Sequence, residues 1–282
     1  MPLSTNLLGI FLALTSALIW GSGDFSGGLA TRRNHQFHVL ALSTFSGIVV
    51  LLVFAGLWHE APPSLGSDIW AMLAGIAGAL GIAALYRGLS LGNTAIVAPT
   101  AAVIGAALPV GFGLLTSGMP AAPRLIGFVL AFLGIWLVSQ SSAPEKILLQ
   151  RGFVLACLAG VSFGGFFIFI AQVENGKVFT PLVVSRIMEF ATALVLLRLY
   201  RMPLPALNSN PIALLAGVLD VGGNIFYLLA KQYTRLEVAA VLASLYPVIT
   251  VLLANLVLRE KVSRSQWVGV GVCLAAITLI TV

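Results

Sequence analysis

Several ionisable side chains stand inside strongly apolar stretches of this sequence, and they are the first residues that could do chemistry. They are Asp24, Arg87, Arg186, Glu189 and Asp220. An ionised group in an apolar interior is costly, so such residues either pair with one another and lock the fold or bind a substrate or a proton. Arg186 and Glu189 are three residues apart, which makes them neighbours on one helix face. We therefore expect them to form a buried charge pair.

Aromatic and polar residues recur near these charges at helical spacing, and they predict a binding cavity. Trp20 and Asp24 are four residues apart, and Asp220 and Asn224 repeat that spacing. Aromatic walls with a few polar anchors suit a ligand that has an apolar body and a charged head group. The alternative is that the aromatic rings only pack helices together or face lipid. The predicted lining residues are Trp20, Asp24, Tyr86, Phe163, Phe167, Asp220, Asn224 and Tyr227.

For a zwitterionic amino acid, Asp24 or Asp220 would hold the ammonium, and Trp20 or Tyr86 would stack on the side chain. A catalytic alternative also exists, because Gly21-Ser22-Gly23-Asp24 matches the G-x-G-D string of intramembrane aspartyl proteases. In those enzymes that aspartate is the second of two that share a proton. Here it comes first, which argues against the match.

Three scattered histidines make no metal cluster, and no phosphate-binding loop G-x-x-x-x-G-K-[ST] occurs. We expect no catalytic activity, no metal and no cofactor.

The elements that position these residues are transmembrane helices. Hydrophobic residues make up 59% of the 282 and charged residues only 9%, against roughly 25% charged in globular domains. A chain in lipid must satisfy its backbone internally, so apolar runs of about 20 residues are helices. The first run has no basic residue before it and is expected to be a retained helix. The ten predicted spans are 7–30, 37–58, 69–91, 94–116, 123–141, 152–173, 178–199, 210–230, 235–258 and 265–282.

The two halves of the chain resemble each other. Gly9-Ile-Phe-Leu-Ala13 aligns with Gly152-Phe-Val-Leu-Ala156, and Pro109-Val110 aligns with Pro247-Val248. We therefore predict two five-helix repeats, residues 1–145 and 146–282, inserted in opposite orientations because five crossings is an odd number. Substrate sites of inverted-repeat transporters lie between the repeats. Pro109 and Pro247 remove a hydrogen bond inside a helix, so they are predicted as hinges, with static bends as the alternative.

These features resemble the drug/metabolite transporter superfamily, in particular its EamA-type ten-helix members. The resemblance rests on Trp20-Gly21, the two Pro-Val steps, and Leu258-Arg-Glu260-Lys-Val-Ser263-x-x-Gln266-x-x-Gly269. It implies two inverted halves around a central cavity, and export of amino acids, other metabolites or drugs. The aromatic amino-acid exporter branch is a neighbour that it suggests.

Lys and Arg side chains accumulate on one side of the predicted bundle, which sets its orientation. Ten basic residues follow the odd-numbered spans: Arg32, Arg33, Arg87, Lys146, Arg151, Arg198, Arg201, Arg259, Lys261 and Arg264. The other side holds four: Arg124, Lys177, Lys231 and Arg235. The first set is predicted to be cytoplasmic, which places both termini in the periplasm, although termini in the resembled family are more often expected in the cytoplasm.

We expect a secondary transporter of a bacterial inner membrane that exports amino acids by alternating access. The alternative is a proton-coupled exporter of cationic drugs. The expected partners are the lipid bilayer and the small-molecule substrate, with no nucleic acid, since the net charge of +6 is scattered rather than gathered in a stripe. A monomer is the expected state.

Overall fold

The computed structural model describes residues 3–90, 94–139, 149–259 and 262–281, and over these residues the regular secondary structure is entirely helical. The helices are α1 (Leu3–Thr31), α2 (Gln36–Leu57), α3 (Leu65–Ser90), α4 (Thr94–Ser117), α5 (Ala122–Ser139), α6 (Leu149–Ile170), α7 (Phe179–Leu199), α8 (Pro211–Tyr233), α9 (Leu236–Ala243), α10 (Tyr246–Leu258) and α11 (Arg264–Thr281).

Every predicted span contains a helix, and the all-helical membrane fold is confirmed. By length and composition, nine of the described segments could each cross a membrane. Among these nine segments, α9 and α10 together form one, Leu236–Leu258. The long helix α7 is not among the nine. Glu260, Lys146, Lys261 and the predicted repeat boundary at 145/146 fall outside the described residues.

The ninth predicted span is not one continuous helix. α9 ends at Ala243, α10 begins at Tyr246, and Pro247 occupies the first turn of α10. Proline lacks the N–H that would continue the preceding helical hydrogen-bond ladder. By contrast, α4 continues through Pro109, because one missing hydrogen bond does not have to end a helix.

Helix packing repeats between the two halves with the partners exchanged. α1 packs along α8, and their counterparts α6 and α3 pack along each other. α2 packs against α7, and α5 packs against α11, so each of these pairs joins equivalent helices of the two halves. α4 lies on α6 as α9 and α10 lie on α1. This exchange is what an inverted repeat around a central axis produces.

Glycines let these helices approach at backbone distance. A Cβ on Gly217 would run into the Ser43 carbonyl, and one on Gly75 would run into the Ser185 carbonyl. In lipid, helices associate by such close packing, because apolar side chains gain little from leaving one apolar environment for another. The small faces of α3 and α8 therefore bring α7 and α2 close enough to enclose a site.

Loops tie α2 and α7 together at both ends of the bundle. The arginine-rich face carries Arg32, Arg33, Arg198, Arg201 and Arg259. There the ring of Phe37, in α2, lies 4.9 Å from that of Tyr200, which follows α7. A ring nitrogen of His38 lies 2.9 Å from the Pro203 carbonyl.

At the opposite face the carboxylate of Glu60 accepts hydrogen bonds from the backbone N–H of Val178 and Thr180 at 3.0 and 2.7 Å. These bonds satisfy N–H groups at the start of α7. The ring of Trp58 lies 5.6 Å from that of Phe179. Equivalent loops therefore fasten the same two helices at both ends.

Changing Gly75 to Ala is expected to destabilise the protein, because the added methyl group meets the α7 backbone, and overpacking of this kind costs about 1–3 kcal/mol. Gly56→Ala is the matched control, since nothing lies within 4 Å of its added Cβ. Thermal unfolding of the two variants in detergent measures the difference. Equal melting temperatures would show that α3 and α7 are not packed as closely as described.

Candidate functional site

A cavity of about 400 Å³ lies between the two halves. Seven helices contribute to it: α1, α2, α3, α6, α7, α8 and α10. On α1 the lining runs from Trp20 to Gly28, which is within one turn of the helix end at Thr31. The lining residues are Trp20, Asp24, Gly28, Leu51, Gly78, Ile82, Leu85, Phe163, Phe166, Phe167, Leu182, Ser185, Arg186, Glu189, Asp220, Val221, Asn224, Tyr246 and Thr250.

Aromatic rings form one wall. The rings of Trp20 and Phe167 meet edge to face with centroids 5.5 Å apart, and Phe166 packs edge to face on Phe167 at 5.9 Å. The Trp20 indole N–H donates to the Asp220 carbonyl at 3.1 Å. It reaches that carbonyl because Gly223 has no side chain, and a Cβ there would collide with the indole ring. The ring of Trp20 is therefore fixed in place between α1 and α8.

Tyr227 lies behind this wall rather than in it. Its side chain is fully buried, and its hydroxyl donates to the Phe167 carbonyl at 3.1 Å. Its ring packs on those of Trp20 and Phe167 with centroids 5.8 and 4.9 Å away. The helical spacing from Asp220 correctly puts Tyr227 on an inward face, but the neighbouring rings separate it from the cavity. Its role there is to support Trp20 and Phe167.

A cluster of three charges crosses from α7 to α8. Arg186 donates to the Glu189 carboxylate at 2.5 Å, and its other terminal nitrogen pairs with the Asp220 carboxylate. Arg186 and Glu189 are 5% and 7% exposed. The structure thus brings the two residues of the predicted pair together and adds Asp220. Because Asp220 is tied to a guanidinium, it is poorly suited to share a proton with Asp24 as an aspartyl protease would require.

Asn224 extends this cluster and leaves one hydrogen-bond acceptor open. Its amide nitrogen donates to the Asp220 carbonyl at 2.7 Å and to the Asp220 carboxylate at 3.3 Å. Because a carbonyl can only accept, this contact fixes which end of the amide is nitrogen. The amide oxygen is buried and has no hydrogen-bond partner among the described residues. Buried polar atoms are usually paired, so this oxygen is a candidate ligand contact.

Asp24 differs from the other acidic residues of the cavity. Its side chain is exposed, lies in the lining, and makes no hydrogen bond or ion pair with a described residue. Arg87, another of the ionisable residues that the sequence places in an apolar stretch, is exposed and does not line the cavity. Asp24 follows Trp20 by one helical turn, so an acidic and an aromatic group face the cavity side by side.

The structure adds lining residues that sequence analysis did not single out. Tyr246 and Thr250 come from α10, and the Thr250 hydroxyl donates to the Gly21 carbonyl at 3.1 Å, beside Trp20. Their spacing of four residues, next to Pro247, is the signal that could have found them. Phe163 and Ile82 lie in the lining as well. The side chain of Tyr86 lies outside the described part of the chain.

No group of three or more His, Cys, Asp and Glu side chains that could hold a metal ion occurs among the described residues. The cavity instead combines an aromatic wall, one ion-paired cluster and one carboxylate that meets no cation among the described residues. Chemically, such a site can bind an organic cation by charge, by hydrogen bonds and through ring faces.

Replacing Arg186 with Met is expected to lower stability by about 3–5 kcal/mol, because it leaves the buried Glu189 carboxylate and the partly exposed Asp220 carboxylate without their cation. Adding Glu189→Gln and Asp220→Asn to the same chain should restore much of that loss by removing the unpaired charges. Unfolding of the single and triple variants in detergent measures both effects. If the triple variant is no more stable than the single one, the three side chains do not form one charge-compensated cluster.

Comparison with known proteins agrees with this architecture. A solved protein crystal structure superposes with a TM-score of 0.75 at 18% sequence identity, covering 98% of this chain and 96% of the other. This likeness concerns the fold alone. No curated protein matches the sequence. The profile of the EamA-like transporter family matches residues 7–140 and 150–282, one match for each half. The chain therefore belongs to the EamA-like transporter family, which implies a multi-pass membrane protein that transports small molecules.

Proposed function

We propose that this chain is a secondary transporter that exports small molecules bearing an ammonium group, namely amino acids and related amines. The observation that carries the proposal is Asp24, an acidic side chain that faces an aromatic cavity and has no partner among the described residues. A carboxylate in an apolar site is stabilised by a cation. An ammonium group from the substrate would supply that cation.

The rest of the cavity suits the apolar body of such a molecule. Phe163, Phe166, Phe167 and Trp20 contribute ring surface, and rings attract cations over their faces and pack against other rings at their edges. A cavity of about 400 Å³ falls within the range of small-molecule pockets. The site would therefore hold the ammonium at Asp24 and the apolar group against the wall.

Alternating access would come from movement of the two halves about this site. Pro109 in α4 and Pro247 at the start of α10 occupy equivalent places in the two repeats. We propose that they act as hinges, since a residue without a backbone N–H weakens the helical ladder where it stands. The interruption between α9 and α10 gives the second of these places a loop-like turn.

A second candidate function is export of cationic drugs in exchange for protons, and Asp24 favours it too. A carboxylate without a protein cation can take up a proton when the substrate leaves, so proton and substrate would compete for one group. Substrate flux that does not respond to an imposed pH gradient would contradict this coupling.

Asp24→Asn is expected to reduce uptake of 2-phenylethylamine and of phenylalanine into proteoliposomes by about tenfold or more, because a neutral amide does not compensate an ammonium, and a charged hydrogen bond contributes about 1.5–3 kcal/mol. Radiolabelled uptake with the full chain measures it. Asp68→Asn is the matched control, the same chemical change in the first turn of α3 and outside the cavity lining.

Because Asp24 has no described partner, its replacement by a neutral amide should not lower thermal stability, which separates loss of binding from loss of fold. Unchanged flux of both compounds in Asp24→Asn would overturn the assignment of Asp24. Absence of flux for both in the unmodified chain would overturn the proposed substrate class.

The proposed location is a bacterial inner membrane, with the arginine-rich face in the cytoplasm and a monomer as the working unit. The support is the excess of Lys and Arg in the loops of that face, which typically remain cytoplasmic. Both termini would then lie in the periplasm, since α1 begins and α11 ends at the opposite face.

This orientation can be tested in a chain that carries Cys157→Ser and Cys273→Ala. A single cysteine at the exposed Pro62, in the loop after α2, should react with a membrane-impermeant maleimide in intact cells. A cysteine at the exposed Arg201, in the loop after α7, should react only after the membrane is opened. The reverse pattern would invert the topology.

A further inference from the structure

We infer that this cavity selects against a free carboxylate, so that within the proposed substrate class it prefers an organic amine, or an amino-acid amide or ester, over the zwitterionic amino acid. The inference rests on the proposed function, in which an ammonium group binds near Asp24. It concerns which chemical group the cargo can carry in addition to its ammonium group.

The charges of the lining are the first argument. The described lining residues include three carboxylates, on Asp24, Glu189 and Asp220, and one cation, Arg186. Their formal sum is −2. A monocation brings the cavity closer to neutrality, whereas a zwitterion leaves the sum unchanged and adds a fourth carboxylate to an apolar enclosure. Like charges brought together away from water repel strongly, so the zwitterion is disfavoured.

The second argument is that both terminal nitrogens of Arg186 already contact carboxylates of the protein. Its two terminal nitrogens contact Glu189 and Asp220. An amino-acid carboxylate is best recognised by a guanidinium that offers two parallel N–H groups. Binding one at Arg186 would displace a carboxylate of the protein and leave it buried without a cation, which is costly.

The remaining polar groups of the lining also favour a cargo without a carboxylate. The Trp20 indole N–H, the Asn224 amide and the Thr250 hydroxyl each donate to the protein backbone. The hydroxyls of Ser185 and Tyr246 are in the lining, but they are neutral donors. The lining groups that can only accept and have no described partner are the Asp24 carboxylate and the Asn224 amide oxygen. The cavity therefore offers acceptors to a cargo rich in N–H groups.

Competition binding tests this with the full chain in lipid nanodiscs and tritiated 2-phenylethylamine as the probe. Phenylalaninamide and phenylalanine are compared as competitors because they have nearly the same size and differ in the carboxylate. Phenylalaninamide is expected to compete at a concentration about tenfold or more below that of phenylalanine, as expected for a site that penalises a like charge. The anion 3-phenylpropionate should not compete.

Asp220→Asn supplies an internal test of the cause. This change removes one anionic partner of Arg186, yet it keeps the Asp220 backbone carbonyl that Trp20 and Asn224 use. Phenylalanine should then gain on phenylalaninamide by several-fold, since the guanidinium has a donor to offer. The ratio of the two within one variant does not depend on how much protein is folded. Asp68→Asn, the same change outside the cavity, should leave the ratio unaltered.

Each result has a definite meaning. Equal competition by phenylalanine and phenylalaninamide would overturn carboxylate exclusion and leave the proposed ammonium site standing. Specific binding of the probe that phenylalanine displaces better would overturn it as well. No saturable binding of 2-phenylethylamine, together with no flux of either compound, would overturn both this inference and the proposed function.

Discussion

Arg186 is a guanidinium buried in the middle of an apolar bundle, and the geometry of the site depends on how its charge is compensated. Glu189 supplies one carboxylate from the same helix, but the second comes from Asp220 on α8. Compensating the charge of Arg186 therefore requires one particular rotation of α7 and α8 about their own axes. That rotation turns Asn224 inward, and it places the Asp220 carbonyl where the Trp20 indole can donate to it.

The same compensation explains why Asp24 is chemically distinct. Two of the three acidic side chains in the cavity are held by one guanidinium, and the third is left without a described partner. A charge without a counter-ion in an apolar enclosure is costly to stability, so residues of this kind are usually found where function requires them. The separation of the acids into two that are ion-paired and one without a described partner is the basis of the proposed preference for cations.

Contacts around the cavity recur at both ends of the bundle and in both halves of the chain. α2 and α7 are fastened by loops at both faces in the same structure, through Phe37 and Tyr200 at one and Glu60 and Thr180 at the other. Because these contacts are present at both faces at once, they do not determine at which face the cavity opens. The contact of α4 with α6, at Gly160 against Ile104 and Gly164 against Leu108, has its counterpart in the contact of α10 with α1, at Ile249 against Gly21.

Sequence alone determined the class of fold, the ten apolar spans, the duplication and the acidic and aromatic positions, because each leaves a local or periodic signal. Hydrophobic length identifies a span whatever its neighbours are, and the three-residue spacing of Arg186 and Glu189 makes them neighbours on any helix. It also identified Pro247, although the end of α9 at Ala243 was not evident.

Tertiary structure decided which of these positions meet. Periodicity places Asp220, Asn224 and Tyr227 on one helix face. Only the positions of the Trp20 and Phe167 rings show that Tyr227 is separated from the cavity. The pairing of Asp220 with Arg186, and the lack of a described hydrogen-bond or ion-pair partner for Asp24, depend on helix rotations. In a membrane, faces toward lipid and faces toward protein are both apolar, so hydrophobic pattern does not set those rotations; close packing and charge compensation do.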